Sequence, residues 1–89
     1  YAWIGQSQYQ LGEYKKATEA LEKAVQLEPS NSRYNHWLGR AWGRRAETSS
    51  PLTAPGYAGK TRQYFERAVA LDSDNREALT DLFDYYLQA

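Results

Sequence analysis

The sequence predicts an all-α protein, an α-α superhelix made of two helical hairpins and a closing fifth helix. The first observation is an internal repeat, in which residues 20–31 (ALEKAVQLEPSN) align without gaps on residues 64–75 (YFERAVALDSDN). The second is helical spacing, because Ala, Val and Leu fall on one side of a helix in both copies and a turn-forming cluster follows. Each copy therefore ends one helix and begins the turn into the next, and no segment requires a β-strand.

The individual elements follow from this pattern and from the residues that interrupt it. We predict helices over residues 1–11, 14–27, 32–47, 57–71 and 75–88, with a loop over residues 48–56. Gly12 breaks the first pair of helices, because glycine accepts the backbone of a tight turn. Pro29 and Ser30 end the second helix, and Asn31 caps the third.

Composition excludes several kinds of site. The 89 residues include no cysteine and no methionine, so disulfides and thiol chemistry are excluded. The eleven basic and eleven acidic residues give a net charge of zero, which predicts no nucleic-acid partner. No apolar run is long enough to span a membrane, so no membrane contact is predicted for this segment. The single histidine, His36, has no partners spaced for catalysis or metal binding. We therefore predict no catalytic residue, no metal and no cofactor.

Signature positions then resemble those of the tetratricopeptide repeat family, whose unit is a helical hairpin of about 34 residues. The first unit, residues 1–31, carries Ile4, Gly5, Gly12, Tyr14, Ala17, Leu21, Ala24 and Pro29. The second unit, residues 32–75, carries Leu38, Gly39, Trp42, Gly56, Phe65 and Ala68, and it departs at Asn35, Thr61 and Ser73. Residues 76–89 match only the first helix of a third unit, with Phe83 in place of a small residue. One domain over residues 1–89 is predicted, as part of a longer protein.

The resemblance implies a curved solenoid whose first helices line a concave groove that binds protein segments. Small residues such as Gly5 and Gly39 are expected to let neighbouring helices approach closely, while Leu21 and Phe65 fill the space beside them.

The stretch APGYAGKT, residues 54–61, ends like a phosphate-binding loop but has Ala54 where that loop has glycine. Such a loop follows a buried strand, whereas polar RRAETSSPLT precedes this one. We interpret Gly56 as the turn glycine of the repeat, and Lys60 with Thr61 as the first turns of the next helix. No nucleotide site is predicted.

The second unit is longer than the family's unit. The two turn clusters lie 44 residues apart, so about ten extra residues fall near 46–56. This insertion has two interpretations that the sequence leaves open. It is either a solvated loop or a partner contact that includes Leu52 and the flanking prolines.

Arginines on the third helix are the candidate binding residues. Arg33, His36, Arg40 and Arg44 recur at i, i+3, i+7 and i+11, so they form one stripe. In one interpretation Arg40 and Arg44 pair with acidic residues of the fifth helix: Glu77, Asp81 or Asp84. In the other they bind a peptide with an acidic or C-terminal carboxylate group, between aromatic walls. The predicted partner-binding residues are Gln6, Tyr9, Arg33, His36, Arg40, Arg44 and Asp84.

The sequence therefore predicts a non-enzymatic protein–protein interaction module that binds a protein or peptide partner in a concave groove. Trp3 and Trp37 hold equivalent places in successive units, and both are expected to be packed between helices. The alternative function is self-association, or a structural scaffold, through the end of the solenoid. A homo-oligomer would then form through the C-terminal helix, whose apolar flank is Leu79, Leu82, Tyr86 and Leu87.

Overall fold

Five α-helices follow one another in the computed structural model, which describes residues 2–48, 52 and 54–88. They are α1 (Ala2–Gln10), α2 (Tyr14–Leu27), α3 (Ser32–Thr48), α4 (Ala54–Leu71) and α5 (Arg76–Gln88). Each helix packs against the next, and the described ranges contain no β-strand. The predicted all-α fold, with five helices packed in adjacent pairs, is confirmed.

In the first hairpin, α1 and α2 approach closely where Gly5 lies against Leu21. A Cβ atom placed on Gly5 would lie 2.5 Å from Cγ of Leu21 and 3.4 Å from the carbonyl oxygen of Ala17. Leu21 is fully buried, so a larger residue than glycine would push α1 away from α2. The turn between these helices places Gly12 at a φ of 84°, which glycine adopts without steric cost.

The second hairpin, α3 with α4, repeats this contact with a larger side chain. A Cβ atom on Gly39 would lie 2.6 Å from Cδ1 of Phe65 and 3.4 Å from the carbonyl oxygen of Thr61. Thr61 stands where the family pattern has alanine, and its buried hydroxyl donates to the carbonyl oxygen of Tyr57 at 3.1 Å. The close approaches predicted at both glycines are confirmed.

Asparagine caps begin α3 and α5. Oδ1 of Asn31 accepts a hydrogen bond from the N–H of Tyr34, and Oδ1 of Asn75 accepts one from the N–H of Ala78, both at 3.1 Å. These bonds satisfy N–H groups that have no partner within the helix. The predicted cap at Asn31 is confirmed, and its counterpart in the internal repeat has the same role.

Two further polar contacts fasten the turns to the helices. Nδ2 of Asn75 donates to Oγ of Ser32 at 3.0 Å, and this hydroxyl donates to the carbonyl oxygen of Ala68 at 2.6 Å. The start of α5 is thereby tied to both helices of the second hairpin. Asn35, which stands where the family pattern has tryptophan, is fully buried and donates to the carbonyl oxygen of Pro29 at 3.1 Å.

The predicted start of α4 at residue 57 is wrong, because the helix begins at Ala54. Pro55 fits the first helical turn, where a backbone N–H is not needed. Gly56 therefore lies within the helix and is not a turn residue; among the glycines, only Gly12 has a positive φ. The predicted loop over 48–56 is correspondingly shorter. Residues 49–51 and 53 lie outside the described residues, and Leu52 is exposed.

The expectation that both equivalent tryptophans are packed is wrong for Trp3. Its side chain is 78% exposed, whereas Trp37 is half-buried against the core. The ring of Tyr9, from the preceding hairpin, meets Trp37 edge to face with 5.4 Å between the centroids.

Candidate functional site

The arginine stripe of α3 divides into separate environments. His36 is buried, Arg40 is half-buried, and Arg33 and Arg44 are exposed. The stripe is therefore not one continuous cationic surface, because its members contact different neighbouring helices.

A shared carboxylate oxygen joins α3 to α5. Oδ2 of Asp81 lies 2.6 Å from Nε2 of His36 and 2.8 Å from Nε of Arg40. Since a carboxylate only accepts hydrogen bonds, the imidazole nitrogen is the donor. Pairing between the stripe and acidic residues of the fifth helix, one of the two interpretations, is thus observed for Arg40.

The ionisation states of His36, Arg40 and Asp81 depend on their burial and on their hydrogen bonds. Burial lowers the pKa of His36, and this effect exceeds the opposing effect of the hydrogen bond to Asp81. Burial also raises the pKa of the Asp81 carboxyl, but the hydrogen bonds from His36 and Arg40 outweigh it and hold that pKa below its ordinary value. A neutral imidazole and a charged guanidinium therefore face an ionised carboxylate near neutral pH.

Arg44 links α3 to α1. Its Nε donates to the hydroxyl of Tyr9 at 3.2 Å, and its Nη1 donates to Oε2 of Glu47 at 3.0 Å. These two hydrogen bonds raise the pKa of Arg44, which stays charged. Tyr9 also meets the rings of Tyr14 and Trp37 edge to face, at centroid distances of 5.5 and 5.4 Å. Tyr9 is consequently fixed in position by its contacts with Arg44, Tyr14 and Trp37.

A groove of about 680 Å³ is lined by residues of α3, α4 and α5 and by Tyr9 of α1. Four of the predicted site residues line it: Tyr9, Arg40, Arg44 and Asp84. Gln6, Arg33 and His36 do not line it, because His36 points into the contact with α5 and the other two lie elsewhere on their helices. The structure thus brings together part of the predicted set.

The other residues of the groove were not among the predicted binding residues: Gly43, Ala46, Glu47, Ala58, Thr61, Phe65, Asp81 and Tyr85. Glu47 stands three residues after Arg44, a spacing that indicates an ion pair on one helix face. Tyr85 directly follows Asp84 but carries no periodic signal of its own.

The arginines that line the groove are already paired with carboxylates of the protein. Arg40 is paired with Asp81, and Arg44 is paired with Glu47. Asp84 is exposed and forms no ion pair with any other residue in the described ranges. An acidic or C-terminal carboxylate group in the groove would therefore meet arginines that are already paired, and the carboxylate of Asp84.

The residues that resemble a phosphate-binding loop are used in packing. Nζ of Lys60 lies 4.2 Å from the ring centroid of Trp42, and the side chain of Thr61 would lie 3.5 Å from a Cβ atom placed on Gly43. Across residues 2–48, 52 and 54–88, no three His, Cys, Asp or Glu side chains are grouped as a metal site. No helix in those ranges combines the length and apolar character of a membrane span.

Comparison with known proteins supports the resemblance drawn from the sequence. The family model described as tetratricopeptide repeat matches residues 1–31, about a third of the chain. No curated protein matches the chain. Repeats of this family are typically non-catalytic binding modules with protein partners, and no catalytic domain was found. Residues 1–31 are thus similar to a tetratricopeptide repeat, and the five helices pack in adjacent pairs, which is consistent with an array of such repeats.

Proposed function

We propose that the chain is a non-enzymatic protein-interaction module that binds an extended or helical peptide segment in the groove between α3 and α5. Residues 32–75 would be a second unit, with its insertion near 46–56, and residues 76–89 the first helix of a third. The repeated glycine contact at Gly39 supports this division. The observation that carries the binding proposal is the groove itself, with its preformed aromatic end and an unpaired carboxylate at its edge.

Tyr9 supplies the preformed contact. Arg44, Tyr14 and Trp37 hold its ring and hydroxyl, so a ligand that packs against it loses little side-chain entropy of the protein. Phe65 and Ala58 of α4 also line the groove and add apolar surface. An apolar or aromatic side chain of the partner fits this part of the groove.

Asp84 supplies the charge preference. Its carboxylate lines the groove without an ion pair among the described residues, and Tyr85 lines the groove as well. A lysine or arginine of the partner would pair with it and lie beside the ring. The proposed ligand is therefore a peptide with an apolar anchor and a nearby cation.

Selection of peptides from a random display library tests this function. We expect peptides enriched on the native chain to contain an aromatic or aliphatic residue near Lys or Arg. Their affinity should fall about tenfold for Asp84→Lys. Glu19→Lys, a matched charge reversal on the exposed face of α2, should leave it unchanged. Equal binding by the native chain and by both variants would contradict the proposal.

Self-association through α5 is a second candidate. Four of its side chains are 36–83% exposed: Leu79, Phe83, Tyr86 and Leu87. Three of these belong to the predicted apolar flank, and its fourth member, Leu82, is half-buried. Sedimentation over a range of concentrations should show association that Phe83→Lys abolishes. A monomer at the highest concentration would exclude this candidate.

A further inference from the structure

A second cavity, of about 530 Å³, lies between the α1–α2 turn and the ends of α3 and α4 that face it. It shares no lining residue with the groove between α3 and α5. Arg44 lines the groove, whereas the next residue, Arg45, lines this cavity. Residues near the end of α3 and the start of α4 therefore line both the cavity and the groove.

Positive charge is concentrated around this cavity. Lys15, Lys16 and Arg45 line it together with one carboxylate, that of Glu13, in a chain whose net charge is zero. Lys15 and Lys16 are exposed and pair with no carboxylate in the described ranges. The cavity therefore carries a local excess of cations that the protein does not neutralise there.

Arg45 is held in a defined orientation. Its guanidinium carbon lies 4.8 Å from the ring centroid of Trp42 and 4.8 Å from that of Tyr57, and its Nη2 donates to the Tyr57 hydroxyl at 3.3 Å. A guanidinium has five N–H donors, and this contact uses one. The centroids of these two rings are 5.1 Å apart, so both rings lie on the same side of the guanidinium. Its other N–H groups donate to no acceptor in the described ranges and can form the paired hydrogen bonds that a carboxylate accepts.

We propose that this cavity binds an acidic peptide segment of a protein partner. Arg45 receives one carboxylate, and Lys15 and Lys16 pair with acidic side chains further along the segment. The rings of Tyr14 and Tyr57 contact its aliphatic parts. This site is separate from the groove, so either site can fail its test without the other.

The charge distribution favours a peptide over larger anionic partners. Three cations around one cavity match a short run of carboxylates, whereas nucleic acid requires a basic surface that follows many phosphates. Anionic membranes are bound by clusters of about four to eight basic residues. Glu13 at the rim adds local repulsion against a continuous polyanion.

Fluorescence anisotropy with a short labelled peptide of alternating Glu and Ser tests the site. We expect saturable binding that weakens as salt rises, and that Lys15→Glu/Lys16→Glu reduces about tenfold. Arg62→Glu/Arg76→Glu makes the same change of net charge on exposed positions outside the cavity and should alter binding by less than about twofold. Circular dichroism confirms that both variants are folded.

Three results would overturn the proposal: no saturable binding at low salt, equal losses in the two double variants, or tighter binding of single-stranded RNA or anionic vesicles than of the peptide. Asp84→Lys separates this site from the groove. It should leave binding of the acidic peptide intact or stronger, because it adds positive charge at a different place.

Discussion

The two hairpins are alike inside and different where they meet their neighbours. Within each, a glycine on the first helix receives a large side chain from the second: Leu21 against Gly5, and Phe65 against Gly39. Between hairpins the contacts differ in kind. The first hairpin meets α3 through apolar side chains of α2 and the aromatic ring of Tyr9, whereas α5 meets α3 through the carboxylate of Asp81.

This difference separates what forms the fold from what forms a binding surface. The glycine contact depends on two positions in each unit and can recur wherever the unit recurs. Contacts between hairpins depend on side chains that occur once. Tyr9 and Asp81 stand beside the groove, so the residues that join the hairpins also shape the surface available to a partner.

The largest expected effect comes from filling the glycine contacts. Gly39→Ala would place a Cβ atom 2.6 Å from the ring of Phe65, which cannot yield as a flexible chain end can. We expect a loss of about 1–3 kcal/mol in the free energy of unfolding, measured by urea denaturation. Gly5→Ala should also destabilise the protein, because its Cβ would lie 2.5 Å from Cγ of buried Leu21.

Gly59→Ala is the control for this prediction. A Cβ atom at Gly59, within α4, would have nothing within 4 Å, so the variant should gain about 0.5–1 kcal/mol from helix propensity. If Gly39→Ala also gained stability, the two hairpins would not be joined by close helix approach.

The polar contact at α5 predicts a dependence of stability on pH. The folded pKa of His36 lies below 6.5, so the unfolded chain binds a proton first as pH falls through 6.5, and stability falls. The folded pKa of Asp81 lies below 3.8, so a further loss occurs as pH falls through 3.8 and below. At neutral pH, Asp81→Asn should cost about 1–2 kcal/mol, because two hydrogen bonds lose their charged acceptor.

His36→Gln isolates the upper part of this profile, since His36 is the only histidine of the chain. Thermal unfolding measured between about pH 7.5 and 5.5 should show a decline for the native chain that is absent in the variant. A decline that persists in His36→Gln would assign it to other groups.

The fold could be predicted more fully than the site, for a physical reason. Helical periodicity and the positions of small residues can be read within a single helix. They were enough to predict the close helix contacts at Gly5 and Gly39. The partners of Arg40 and Arg44 come from α5 and α1, and periodicity shows only the side of the helix on which an arginine lies. The exposure of Trp3 likewise depends on what packs beside α1.

The smallest expected effect distinguishes the two caps. Asn31→Ala should cost about 1 kcal/mol, because the N–H of Tyr34 loses its acceptor. Asn75→Ala removes an equivalent cap and also the hydrogen bond to Ser32, so it should cost about 0.5–1 kcal/mol more. A double-mutant cycle with Ser32→Ala, followed by urea denaturation, should assign that excess to the pair. Equal costs for the two caps, with no coupling to Ser32, would mean that α5 is held to the second hairpin by Asp81 and apolar packing alone.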